Sequence, residues 1–401
     1  MTTRAHWPTH HERSIQRPPH RSAQQPGGTS APARKARNLL RRVPVWTWRV
    51  LMHSVKASEK SRFNVDPITG VEYFHDIDFV GDRIRAHRLD VISPSPVTPS
   101  PVTPSPVTPS PDGGAGTADA SSDGSPGALP VYVYFHGGGW TSGDKASLTK
   151  YCASQAEGGM VVVNVNYRKA PRFQMSHVLS DANAALAWVR KNIAGYGGDA
   201  SRLVLGGDSA GGQIAALLTA ASFHPELARH HGLTPAVPAA DFKGLVQHCS
   251  VVDFSVFFEK GFVLSLNFIR MLLPGLHPGG RTGGRTGSLV GGLRRAFGGF
   301  GGTGSGTGHR EALREGAEFL SPIEWLDSRF PPVLVTTSER DFFFAANMNF
   351  IARLREHSVP VDSLIYGGDS SNTEHTWQQD FRYPESQEVY RRLHAFVRKV
   401  A

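Results

Sequence analysis

The chain has 401 residues, a formal net charge of +9 and two cysteines. Residues 1–43 hold nine Lys/Arg against one acid, Glu12, so the rest of the chain is nearly neutral, which excludes a broad basic nucleic-acid groove. Cys152 and Cys249 offer neither a disulfide framework nor a metal-ligand spacing, and no apolar run is long enough to cross a bilayer.

Residues 1–43 are rich in Arg, Pro and Gly and read as a disordered basic tail, with organelle targeting left open. "VPVWTWRVLMHSV", residues 43–55, reads as a helix packed on the domain, with peripheral membrane contact as the alternative. "VEYFHDIDFV" and "DRIRAHRLDVI" alternate polar and apolar residues around Gly81 and predict an antiparallel strand pair. Residues 95–109 then repeat "SPVTP" three times, within a Pro/Ser/Thr loop spanning 93–129 that cannot join a core.

From Pro130 the runs "PVYVYF", "MVVVNV", "RLVLG", "KGLVQHC", "PVLVTT" and "VDSLIY" predict strands. Helices are predicted between several of them, at "SHVLSDANAALAWVRKNI", "GGQIAALLTAAS" and "AANMNFIARLREH". Continuous apolar strands alternating with helices imply an α/β fold, a mostly parallel central sheet flanked by helices. Residues 253–320 break the alternation, passing from an aromatic-rich run into a Gly/Arg stretch. This reads as a lid with a Gly-rich insertion rather than an RNA-binding tract. The expected organisation is therefore a tail, 1–43, and one domain, 44–401, carrying the 93–129 loop and the 253–320 lid region.

"LVLGGDSAGGQIAALL", residues 203–218, joins an apolar strand to an alanine-rich helix through a glycine-crowded turn. It lacks the Lys of a phosphate-binding loop, and Gly207-Asp208-Ser209-Ala210-Gly211 fits the Gly-x-Ser-x-Gly pattern that displays a nucleophile. A serine alcohol needs a base, an acid to orient that base and donors for the oxyanion. "HGGGW", His136 to Trp140, follows a strand at the same sheet edge and offers glycine N–H groups as donors.

These motifs, with "NYRKAP", "SPIEWLDSRFPPVLVTTSERD" and "EHTWQ", resemble in order and approximate spacing the hormone-sensitive-lipase-like carboxylesterases of the α/β-hydrolase fold. The resemblance covers roughly residues 71–400 outside the insertions. It implies Ser209 as nucleophile, Asp341 as orienting acid and His375 as general base. It further implies an oxyanion hole from the N–H groups of Gly138, Gly139 and Ala210, with Gly137 completing the loop. Asp341 and His375 each follow a strand, in the chain order Ser, Asp, His that this fold uses. Glu339 is the rival acid, and His357 and His394, on predicted helices, are the rival bases.

Tyr167, Arg168 and Asp181 match the family and read as scaffold, whereas Lys169, Arg172 and the acid loop "DFFFA" depart from it and alter the expected pocket. Trp140 is expected to contact the acyl group. The expected activity is hydrolysis of carboxylic esters with short to medium acyl chains, without metal or cofactor, on a small-molecule substrate and with no nucleic-acid partner. An amide or lactone hydrolase with the same residues, or a non-catalytic binder on the same fold, are the alternatives. The expected compartment is the cytoplasm, and the oligomeric state is not read.

Overall fold

The computed structural model describes residues 64–95, 127–259, 265–273 and 306–401. The basic tail, the helix expected at 43–55, most of the Pro-rich loop and the Gly-rich insertion lie outside the described residues. Eight strands form one sheet: β1 (Val71–Asp78), β2 (Arg88–Pro94), β3 (Leu129–Phe135), β4 (Val161–Val165), β5 (Gly198–Asp208), β6 (Phe242–His248), β7 (Val333–Ser338) and β8 (Val361–Tyr366). Their order is β1-β2-β4-β3-β5-β6-β7-β8. β1 with β2 and β2 with β4 are antiparallel, and the pairs from β4 through β8 are parallel.

Because successive strand residues point to opposite faces, the apolar runs sort themselves into two cores. Val131, Val133 and Phe135 of β3 join Val163, Leu205, Leu245 and Val335 on one face. Tyr132 and Tyr134 join Val162, Val204, Val246 and Leu334 on the other. The first face is covered by α2 (Met175–Asn192), α3 (Ala210–Ala221), α4 (Pro225–His231) and α7 (Phe344–Glu356). The second is covered by α1 (Thr149–Ala156) and α8 (Pro384–Val400). Two further helices, α5 (Ser265–Leu272) and α6 (Gly306–Glu318), come from the region expected to be a lid and pack on the first core through Ile269, Leu272 and Leu313. Among the described residues, no helix is long and apolar enough to cross a membrane.

Each of the eight expected runs contributes a strand, but the second is shorter than its alternation implies. Strand pairing starts at Arg88, after a short 3-10 turn at Arg85–His87. The cause is Asp78, whose carboxylate accepts the N–H groups of Val80, Gly81 and Arg83 at 3.3, 2.7 and 2.8 Å. Those bonds close a wide loop and remove the donors a strand would need for its ladder.

Candidate active site

The carboxyl ends of the parallel strands gather the sequence-predicted residues at one edge of the sheet, where open α/β sheets bind ligands. Ser209 stands between the last residue of β5, Asp208, and the first of α3, Ala210. Its φ of 51° and ψ of −118° lie outside the comfortable regions for a side-chain-bearing residue. The surroundings enforce that strain: the Ser209 N–H donates to the His248 carbonyl at 2.9 Å, and the Ser209 carbonyl accepts from Val251 at 3.1 Å. The flanking glycines serve close packing. A Cβ on Gly211 would run into the Phe135 carbonyl, and one on Gly212 into the Ser250 hydroxyl.

The loop after β3 makes the opposite use of glycine. Gly138 and Gly139 have φ of +107° and +56°, followed by Trp140 at +61°. The Gly138 carbonyl accepts the N–H groups of Thr141 and Ser142 at 3.2 and 3.0 Å, which folds the loop back on itself. Asp208 anchors it from below, because its Oδ1 accepts both the Tyr134 hydroxyl at 2.8 Å and the Gly137 N–H at 2.9 Å. Burial pushes the Asp208 carboxyl up, and the bonds from Tyr134 and Gly137 pull it back toward the charged form. Tyr167 supports the loop from another side, stacking on His136 with ring centroids 4.5 Å apart and donating to the His136 carbonyl at 2.7 Å.

Trp140 is 1 % exposed and sits between the sheet core and the aromatic residues that follow Asp253. Its Nε1–H donates to Gln213 Oε1 at 2.6 Å, and Gln213 Nε2 donates in turn to the Leu320 carbonyl at 2.6 Å. The rings of Phe254 and Phe268 lie 5.8 Å from it. Sequence reasoning missed Asp208 and Gln213 as supports. The available signal was a polar group inside an otherwise apolar strand–helix junction, where burial demands partners.

Asp341 and His375 meet. His375 Nδ1 lies 2.7 Å from Asp341 Oδ1, and that oxygen also accepts the Phe343 N–H at 3.1 Å. The other carboxylate oxygen accepts the Thr337 hydroxyl at 3.2 Å. The His375 ring is covered on one side by Phe342, 4.0 Å between centroids, and approached by Phe343 at 5.6 Å. Phe342 is 58 % exposed, so the "DFFFA" departure places an apolar ring at the mouth of the site. The rivals lie elsewhere. Glu339 is exposed and accepts the Gly368 N–H at 2.9 Å, His357 caps the end of α7, and His394 packs on α8 against Gly158. Arg168 and Asp181 pair with each other, Nε to both carboxylate oxygens at 2.9 Å, as scaffold.

The comparisons with known proteins agree with this architecture. A family model described as alpha/beta hydrolase fold matches residues 132–266. Esterase B from Lactobacillus rhamnosis superposes with a TM-score of 0.65 at 18% identity, over 89% of this chain and 96% of that one. The chain has the α/β-hydrolase fold. Esterase LipW from Mycobacterium marinum shares it, with a TM-score of 0.56 at 20% identity over 89% of this α/β hydrolase and 90% of that chain. By sequence, the Mycobacterium tuberculosis carboxylesterase NlhH is 43% identical over 110 residues, which are 27% of this chain and 33% of the relative. The M. tuberculosis carboxylic ester hydrolase LipN is 31% identical over 147 residues, 35% of this chain and 37% of the relative. The sequence matches thus span about a third of the length of these curated relatives.

Proposed function

We propose that this α/β hydrolase cleaves carboxylic esters through Ser209, His375 and Asp341. The observation that carries the reading is the 2.7 Å contact between His375 Nδ1 and Asp341 Oδ1, at the same sheet edge as the strained serine that follows β5. Asp341 fixes the tautomer in which Nδ1 holds the proton, which leaves Nε2 free to take the proton of the Ser209 hydroxyl. Ser209 Oγ then attacks the ester carbonyl. The N–H groups of Gly138, Gly139 and Ala210 receive the developing oxyanion, the last with the help of the α3 N-terminus. Collapse expels the alcohol with the proton from His375, and a water activated by the same ring hydrolyses the acyl-enzyme. No cofactor enters.

The substrate walls are apolar. Buried Trp140, with Phe254 and Phe268 packed on it, backs the acyl side, and exposed Phe342 borders the entrance. This favours esters with short to medium acyl chains. The lid region is stapled at its neck, where the Phe254 N–H donates to Ser321 Oγ at 3.0 Å and the Ile323 N–H to the Val252 carbonyl at 3.0 Å. The described ends of this region, around residues 253 and 321, so leave and rejoin the domain at one point. The test is labelling by a fluorophosphonate together with hydrolysis of a p-nitrophenyl ester series from acetate to laurate. Labelling and turnover that are both lost in Ser209→Ala support the reading, and an unlabelled wild type rejects it.

A further inference from the structure

A third metal-binding donor lies against the acid–base pair. Cys249 follows β6, the strand beside β7, with φ at 48° and its side chain fully buried. Its Sγ, a carboxylate oxygen of Asp341 and a ring nitrogen of His375 all lie within 4.8 Å of one another. We propose that Cys249, Asp341 and His375 form an inhibitory site for a thiophilic divalent cation, Zn²⁺ above all, whose binding switches hydrolysis off. The inference rests on the reading of His375 as general base.

Thiolate, imidazole and carboxylate are the donors that zinc takes, with bonds of about 2.0–2.3 Å. A tetrahedral ion holds its ligand atoms roughly 3.3–3.7 Å apart. The 2.7 Å His375–Asp341 contact therefore opens by about 0.6–1.0 Å, and Cys249, within 4.8 Å of both partners, draws in by at most about 1.5 Å. Of the three donors only His375, on a loop after β8, is reached by solvent, its side chain being 21 % exposed against 0 % for Asp341, so the ion enters on its side and takes a water as fourth ligand. Supports for the donors are already present: Gln378 Nε2 lies 3.4 Å from Cys249 Sγ, and Thr337 bonds Asp341.

The proton bookkeeping explains the inhibition. The ion takes the lone pair of Nδ1, so the ring proton moves from Nδ1 to Nε2, and the Cys249 thiol releases its proton to solvent as the S–Zn bond forms. A ring protonated at Nε2 cannot accept the Ser209 proton, and Asp341 is turned from the base to the metal.

The test uses the full chain and Zn²⁺ alone. Micromolar free Zn²⁺ should lower ester hydrolysis about tenfold or more, with full recovery on adding EDTA. Cys249→Ser, which keeps a small polar side chain, should hydrolyse the ester but lose the response, while Cys152→Ser keeps it. Titration with Co²⁺ supplies a readout independent of turnover. A thiolate-to-cobalt charge-transfer band should appear in wild type and in Ser209→Ala, and be missing in Cys249→Ser. Equal zinc inhibition of Cys249→Ser and wild type, or no such band in wild type, overturns the proposal. A wild type that shows the band but hydrolyses no ester keeps the metal site and rejects the esterase reading.

Discussion

Asp208 Oδ1 accepts the Gly137 N–H at 2.9 Å, so the residue before Ser209 holds the loop proposed to supply the oxyanion donors. The same oxygen takes the Tyr134 hydroxyl at 2.8 Å, and all three groups are buried. Asp208→Ala leaves two buried donors without an acceptor, at about 1–3 kcal/mol each. Its melting temperature should fall, and kcat should fall further than the folded fraction accounts for. Asp208→Asn keeps an acceptor oxygen and should lose less of both. Thermal denaturation and kcat measured on the same samples check this, and equal losses for the two variants would remove Asp208 from loop positioning.

If Ser209, His375 and Asp341 act as one unit, removing a second member costs little once the first is gone. Ser209→Ala and Ser209→Ala/His375→Ala should therefore show similar residual rates. Asp341→Asn should lose several orders of magnitude in kcat, because the wrong tautomer of His375 is then favoured. Glu339→Gln should change it little, since that carboxylate bonds the Gly368 N–H instead. Steady-state kinetics with one soluble ester decide the ranking.

Gly138 has φ of +107°, and a Cβ there would lie 2.7 Å from the backbone of Ser142. Gly138→Ala should therefore both destabilise the fold and depress kcat, the latter by about 10²–10³ where an oxyanion donor is turned away. A variant of unchanged melting temperature and rate would place the oxyanion donors outside this loop.

Gln213 joins Trp140 to the end of α6 through two bonds of 2.6 Å. Gln213→Leu leaves the Trp140 Nε1–H and the Leu320 carbonyl unpaired, at about 1–3 kcal/mol apiece. Trp140→Phe removes one of those groups, so adding it to Gln213→Leu should cost less than it costs alone. A double-mutant cycle by chemical denaturation reads this, and strict additivity would dissolve the link.

Acid should destabilise the protein through His231. Burial depresses its pKa from 6.5 to about 4, and its Nε2 lies 2.8 Å from the carbonyl of Phe319, the residue after α6. Between those values the unfolded chain binds a proton that the folded one refuses, so stability is full above about pH 6.5 and falls as the pH drops toward 4. His231→Gln should flatten part of that fall. Melting temperatures of both proteins across this range test it, and parallel curves would assign the acid loss to other groups.

The sequence by itself determined the order of the strands and the strand-to-helix turn on which Ser209 stands. Alternation of apolar residues fixes which side of the sheet Val131 or Tyr132 faces, and Gly207 to Gly211 form a local motif whose geometry depends on its own neighbours. Only the tertiary structure decided which residues meet across the sheet edge. Asp341 and His375 are 34 positions apart, and nothing local distinguishes Asp341 from Glu339 until β7, β8 and the loop after them are folded and one carboxylate faces the ring. The same holds for Cys249, which reads as a small core hydrophobe yet lies against that pair because β6 is the neighbour of β7. Trp140 was legible as part of a motif, but its bond to Gln213, 73 positions on, and its burial under Phe254 and Phe268, more than a hundred positions on, depend on distant segments of the chain. Periodicity records which way a side chain points; what it touches is set by strand order and by the loops that return over the sheet.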